Sequence, residues 1–165
     1  MTLRVENMRG IVVYDTSYGN TAQIAEIIAD TLNDSGVKAD LCRESDIKNP
    51  SAKDYEFVIV GSPTRFGTMS FAIRGFLGRL KGDQWIGKPF TAFDTENPEN
   101  AEKKQGSAAE KIAQKLLEKK MTQLSPVLKS LVIGMRGPLV EGEVERTRTY
   151  AKSLAVGLKG LSTNL

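Results

Sequence analysis

The stretch Gly10–Ile28, Gly-Ile-Val-Val-Tyr-Asp-Thr-Ser-Tyr-Gly-Asn-Thr-Ala-Gln-Ile-Ala-Glu-Ile-Ile, constrains this chain more than any other. The apolar run Ile11 to Tyr14 reads as a short buried strand, a small polar turn follows, and a helix opens near Thr21. The turn offers the hydroxyls of Thr16, Ser17 and Thr21, the Asn20 amide, the ring of Tyr18 and a glycine, Gly19. A glycine there takes φ > 0 and lets successive backbone N–H groups point into one concavity. With a helix N-terminus behind it, such a turn favours an anion. No lysine or arginine lies between Gly10 and Lys38. Loops that work on transferable nucleotide phosphates usually carry a lysine, as in G-x-x-x-x-G-K-[ST], whereas a loop that only holds a phosphate relies on hydroxyls and amides. This one reads as a holder.

The rest of the chain alternates strand and helix patterns. The helix from Thr21 to Asn33 puts Ile24, Ile27, Ile28, Thr31 and Leu32 on one stripe and closes at Ser35-Gly36. Val37 to Leu41 is a short strand, and Ser45 to Tyr55 a polar loop holding Asn49-Pro50. Phe57 to Val60 is a continuous apolar run, as in a central parallel strand buried on both faces. It leads into a second informative loop, Gly61 to Met69, and then a helix, Ser70 to Leu80. Phe90 to Phe93 is the next strand. The polar stretch Asp94 to Gly106 that follows is too long for an ordinary connection and reads as functional or mobile. Ser107-Ala108-Ala109-Glu110 is a capping box opening a helix. Val127 to Ile133 supplies a last strand, interrupted at Lys129-Ser130. A glycine-rich turn, Gly134 to Gly142, precedes a final helix, Glu143 to Leu158. This pattern predicts one α/β domain over residues 1–165, a parallel sheet covered on both sides, with loose ends at 1–9 and 160–165.

Composition narrows the chemistry. The 165 residues are long enough for one proper core, and 40% hydrophobic with 26% charged is ordinary for a soluble protein. No apolar run approaches a membrane span, and the first nine residues hold no apolar segment of the secretory kind, so a cytoplasmic location is expected. One cysteine, Cys42, excludes an internal disulfide framework and is expected to sit in a strand as a small buried apolar group. There is no histidine, which removes Ser-His-Asp, Cys-His and zinc chemistry. Redox work would therefore fall to a bound organic cofactor. The net charge of +3 is too small to suggest nucleic-acid binding.

Val12, Val13, Tyr14, Thr16, Gly19, Thr21, Ala25 and Ile28 together resemble the signature of the flavodoxins. The resemblance implies a doubly wound five-stranded parallel sheet of order 2-1-3-4-5, an arrangement for which flavodoxin is itself the type example, with FMN at the switch point between strands 1 and 3. It implies that Thr16, Ser17, Gly19, Asn20 and Thr21 hold the FMN phosphate and that Tyr18 covers the ribityl chain or shields the turn. Ser62, Pro63, Thr64, Arg65, Phe66 and Gly67 would wall the flavin ring, with Phe66 stacking on or edging it; the competing reading packs Phe66 into the core. Asp94 and Thr95 are the candidates for its pyrimidine edge. No catalytic residue and no metal ligand is implied. The loop Ser-Pro-Thr-Arg-Phe-Gly also looks like that of flavodoxin-like NAD(P)H:quinone oxidoreductases, which often have asparagine where this chain has Thr68.

Two functions follow from the resemblance: an FMN-binding electron carrier shuttling between redox partner proteins, or a quinone oxidoreductase, which would be a homo-oligomer. The lack of histidine weakens the second. A binding module of this fold without FMN is disfavoured by the intact phosphate loop. Receiver domains share the topology but need an aspartate closing strand 3, where this chain has Gly61-Ser62. Most flavodoxins are strongly acidic and dock on basic faces, from which this chain departs. Glu102-Lys103-Lys104 with Lys111, Lys115, Lys119 and Lys120 forms a basic helical edge, read as a solvated face or as a dock for an acidic partner such as a ferredoxin.

Overall fold

Alternation along the two central strands decides the architecture. In β1 (Arg9–Tyr14), Ile11 and Val13 face one apolar layer and Val12 the other; in β3 (Phe57–Pro63), buried throughout, Val58 and Val60 join the first layer, Phe57 and Ile59 the second. The computed structural model describes residues 8–103 and 105–163. The layer around Val12 is covered by α1 (Asn20–Asp34) and α5 (Glu143–Thr163), the opposite layer by α2 (Phe71–Arg79) and α4 (Ala108–Glu118). With β2 (Lys38–Arg43), β4 (Pro89–Glu96) and the short β5 (Thr122–Gln123), the parallel sheet has the order β2-β1-β3-β4-β5. The expected doubly wound fold is present.

Several boundaries differ from the sequence reading, each for a local reason. β4 continues past its apolar run because Asp94, Thr95 and Glu96 pair with Lys129, Ser130 and Leu131 of β6 (Leu128–Leu131) and lie buried in the ladder. The last strand is broken before Lys129-Ser130, not at it. β5 pairs with the start of β4 and β6 with its end, and Ser125-Pro126 bulges between them, where a proline with no N–H to donate is tolerated. Tyr150 pins the bulge: its hydroxyl donates to the Pro126 carbonyl at 2.6 Å and lies 2.7 Å from Thr91 Oγ1 and 3.0 Å from Ser125 Oγ.

The polar stretch after β4 is partly helical. Asn97 caps α3 (Pro98–Lys103) by accepting from the Asn100 N–H at 2.8 Å, and Pro98 takes the first helical position, where its missing donor costs nothing. The capping box of α4 is half formed: Ser107 Oγ accepts from the Glu110 N–H, while the Glu110 carboxylate pairs with Lys129 at 2.8 Å. α5 runs on through Gly160 to Thr163. Met8 is buried and Arg9 already sits in β1, ion-paired to Asp40, so of the expected loose ends only 1–7 and 164–165 are left, and these lie outside the described residues, as does Lys104. Cys42 lies in β2 as expected but is half-buried. No helix among the described residues is long and apolar enough to cross a membrane.

The close approach of β3 to β4 depends on Gly61, where a Cβ would lie 2.1 Å from the fully buried Phe93 ring. Gly61→Ala is expected to destabilise the fold by about 1–3 kcal/mol through overpacking, and Gly61→Ala/Phe93→Leu to recover part of the loss. Urea unfolding checks this; an unchanged midpoint in the single variant would contradict it.

Candidate functional site

β1 and β3 are neighbours in register, Tyr14 opposite Gly61, but α1 leaves toward one face of the sheet and α2 toward the other. The loops that follow these strands therefore part around a crevice at the C-terminal edge. Thr16, Ser17, Tyr18, Asn20 and Thr21 line it from the first loop, and Pro63, Thr64 and Arg65 from the second. Thr95, Glu96 and Asn97 from the end of β4 and Val132, Gly134 and Met135 beyond β6 complete it.

The first loop is an anion cradle in its details. Gly19 sits at φ 92, in the left-handed region that glycine alone adopts without strain, immediately before α1. Thr16 Oγ1 accepts from the Gly19 N–H at 3.0 Å and the Ala22 N–H at 3.4 Å, which leaves its own O–H to donate outward. The amides of Ser17, Tyr18, Asn20 and Thr21 have no partner among the described residues. These donors stand at the positive end of a long helix. Thr21 Oγ1 lies 2.8 Å from Thr95 Oγ1 in a buried pair that ties the loop to β4. Asn20 Nδ2 donates to the Arg136 carbonyl at 2.9 Å, and a Cβ on the next residue, Gly137, would lie 2.4 Å from the Asn20 amide. Arg43 braces the loop from outside, donating to the Thr16 carbonyl at 2.9 Å.

The second loop is held at both ends. Buried Ser62 accepts from the Ser70 N–H at 2.9 Å, and Thr64 N–H donates to the Thr95 carbonyl at 2.8 Å while its hydroxyl accepts from the Ala108 N–H. Between these anchors, Arg65 and Thr68 exchange backbone bonds of 2.9 and 3.0 Å around a two-residue turn, with Phe66 at φ 51 and Gly67 at φ 74. Both central residues of such a turn need positive φ, which is unusual for phenylalanine. Gly67 meets a second demand: a Cβ would lie 2.8 Å from the Gln105 carbonyl oxygen. Phe66 stands at the tip, 98% exposed, so the core-packed reading of this residue is wrong.

Asp94 and Thr95 part company because successive strand residues face opposite ways. Thr95 faces the crevice. Asp94 turns under α4, where Oδ2 accepts from the Ala109 N–H at 2.9 Å and Oδ1 is buried with no partner among the described residues. Burial pushes its pKa up to about 7, with Glu96 adding to the effect, against the Ala109 N–H, the Ser107 hydroxyl and Lys129. Its carboxylate thus does not join the candidate site residues around the crevice.

Sequence reasoning missed Arg136. Its guanidinium lies 5.6 Å from the Tyr18 ring centroid and that of Arg65 lies 5.5 Å from the same centroid, so two cations from different loops meet on one tyrosine at the crevice mouth. The glycine-rich turn at 134–142 was the only sequence signal, and nothing in it pointed across to Tyr18.

Residues 11–134 match the flavodoxin domain family. Among curated proteins, the chain is 29% identical over 70 residues to protoporphyrinogen IX dehydrogenase [quinone] of Escherichia coli strain K12, covering 42% of this chain and 39% of that one. It is 27% identical over 107 residues to NAD(P)H dehydrogenase (quinone) of Paracoccus denitrificans, covering 50% and 51%. The matches thus span about half or less of each relative's length. Among solved structures, a flavodoxin from the domain Archaea superposes with a TM-score of 0.74 at 25% identity, over 92% of this chain and 99% of that one.

Asp94 makes stability pH-dependent. With a folded pKa near 7 against an ordinary value of 3.8, the folded protein holds this proton where the unfolded chain has lost it. Its contribution is therefore constant below about pH 4 and is lost as pH rises toward 7. Asp94→Asn is expected to remove that slope and, at pH 8, to match or exceed the parent by on the order of 1–3 kcal/mol. Denaturant midpoints across pH check this; a variant markedly weaker than the parent at pH 8 would contradict it.

Proposed function

Starting from the fact that the chain belongs to the flavodoxin domain family, we propose that it binds FMN in the crevice and carries electrons between redox partner proteins. The observation that carries this reading is the first loop, with free amides at Ser17, Tyr18, Asn20 and Thr21 and a Thr16 hydroxyl already oriented by two backbone N–H groups. Four unpaired amides and two hydroxyls around one glycine suit a phosphate monoester with no need of a lysine. When bound, FMN supplies the redox chemistry, taking up and releasing electrons in steps of one or two.

The chain's own residues hold, orient and tune. Ser17, Thr16, Gly19, Asn20 and Thr21 hold the phosphate, and the Thr21–Thr95 bond keeps that cradle at a fixed distance from the end of β4. Thr64, anchored to both Thr95 and Ala108, presents the Arg65–Thr68 turn to the ring. The exposed Phe66 side chain would be free to edge a bound ring, and Thr95, on the crevice wall, would face it from the end of β4. Asp94 contributes only by fixing the start of α4. Arg65, on the crevice wall, would favour the reduced, anionic form of a bound flavin by Coulomb attraction.

A second reading, hydride transfer from NAD(P)H to a quinone, draws on the Paracoccus relative and on the absence of any aromatic residue between Phe93 and Gly106, which leaves one ring face open. Anaerobic stepwise reduction of the FMN-loaded protein, followed by absorption, separates the two. A carrier takes up its electrons in two resolved one-electron steps and does not oxidise NADPH. A single two-electron step with NADPH as donor would favour the enzyme, and no flavin bound under any condition would sink both. Thr16→Val is expected to weaken FMN binding about tenfold or more, the loss of one hydrogen bond to a charged group. Arg65→Glu is expected to lower the midpoint potential by tens of millivolts; an unmoved potential would remove Arg65 from the tuning role.

A further inference from the structure

Every arginine among the described residues has a carboxylate partner except Arg65, Arg74 and Arg136. Arg65 and Arg136 lie at the crevice mouth, and Arg74 lies just outside it, beside the second loop. Arg65 and Arg136 meet on the Tyr18 ring, and Arg74, in the first turn of α2, donates to Thr68 Oγ1 beside the Phe66 turn. The nearby carboxylates are already engaged: Asp15 with Arg43, Glu96 with Asn100 at 2.6 Å, Glu110 with Lys129 and Glu99 with Lys103. Glu102 on α3 makes no ion pair among the described residues and sets one negative charge against the three arginines. The lysine edge that the sequence suggested as a dock is partly used internally, Lys115 with Glu118 and Lys119 on the Leu80 carbonyl at the end of α2.

Apolar side chains stand exposed on the same segments: Phe66 on the second loop, Phe71 at the start of α2 directly after it, and Ile133 and Met135 beyond β6. Phe66 is 98% exposed, Phe71 89%, Met135 65% and Ile133 57%, and with Tyr18 they make up half of the large exposed apolar side chains among the described residues. Isolated exposed apolar residues are ordinary, but grouped ones mark an interaction site. Phenylalanine, tyrosine, methionine and arginine are the residues enriched in the cores of protein interfaces. A small ligand seated in the crevice would not reach Phe71, which stands on the outer surface of α2.

From this we infer that the crevice mouth docks a redox protein with an acidic rim around an apolar centre, seated on Phe66, Phe71 and Met135 and held in register by Arg65, Arg74 and Arg136. The inference rests on the electron-carrier reading and names the partner's chemistry. In each encounter one electron leaves the partner's reduced centre, which is oxidised by one, and enters the bound flavin, which is reduced by one. A second encounter, with proton uptake from solvent, completes the two-electron reduction.

Stopped-flow mixing of the FMN-loaded protein with a reduced plant-type [2Fe–2S] ferredoxin, whose surface is acidic, tests this under anaerobic conditions. The rate is expected to fall as salt is added, since screening weakens attraction between opposite charges. Arg74→Glu is expected to slow reduction at low salt by about tenfold or more and to converge on the parent at high salt. Phe71→Ser is expected to slow it at every salt concentration. Both variants should keep the parent's FMN content and midpoint potential, because neither residue belongs to the cofactor site. A rate that rises with salt, or is indifferent to Arg74→Glu, would overturn the inference. So would an Arg74→Glu effect on reduction by NADPH with no response to ferredoxin, which would assign the cations to a small phosphate-bearing donor. Failure to bind FMN would instead strike the proposed function itself.

Discussion

The parallel pairing of β1 with β3 is the constraint on which everything else rests. It buries Val12, Val13, Val58, Ile59 and Val60 between two helical layers. Because the next helices depart to opposite faces, the pairing also opens the crevice and puts two loops on its lips. Hydrogen bonds through threonine hydroxyls and backbone amides then fix the loops to one another. Thr21 on Thr95 and Thr64 on both Thr95 and Ala108 make the end of β4 a common anchor. Removing any one of these would loosen two walls of the site.

The fold was legible where a residue's neighbours in sequence are also its neighbours in space. The first loop, the strand cores, the Gly36 helix stop and the apolar face of α5 all follow from local pattern. What the sequence could not carry was pairing at a distance. Asp94, Thr95 and Glu96 look like loop residues until β6 is laid beside them, and the break in the last strand moves to Ser125-Pro126 only because Tyr150, far along the chain, reaches back to hold it. Glu110 looked committed to its own helix cap, but Lys129 across the sheet edge competes for it. Of the site, the cradle was readable and the arginine pair on Tyr18 was not, since the two arginines and the tyrosine come from three separate loops.

Electrostatics give the site its individual character. The holder loop has no cation of its own between Gly10 and Lys38, yet Arg43, Arg65 and Arg136 surround it from other elements. A modest net charge of +3 thus conceals a local concentration of positive charge around an otherwise neutral cradle. The arrangement separates two tasks: neutral hydroxyls and amides to hold an anion with fixed geometry, and guanidiniums at the mouth to attract and orient whatever approaches it.

The central claim is that the loop from Thr16 to Thr21 holds a phosphate, and comparing the affinities of FMN and riboflavin for the cofactor-free protein tests it most directly. The two ligands share the ring and the ribityl chain and differ only in that group. Several charge-assisted hydrogen bonds, each worth about 1.5–3 kcal/mol, predict that FMN binds at least about a hundredfold tighter. Equal affinities would mean that the loop holds no phosphate, and the account of the site would fail with it.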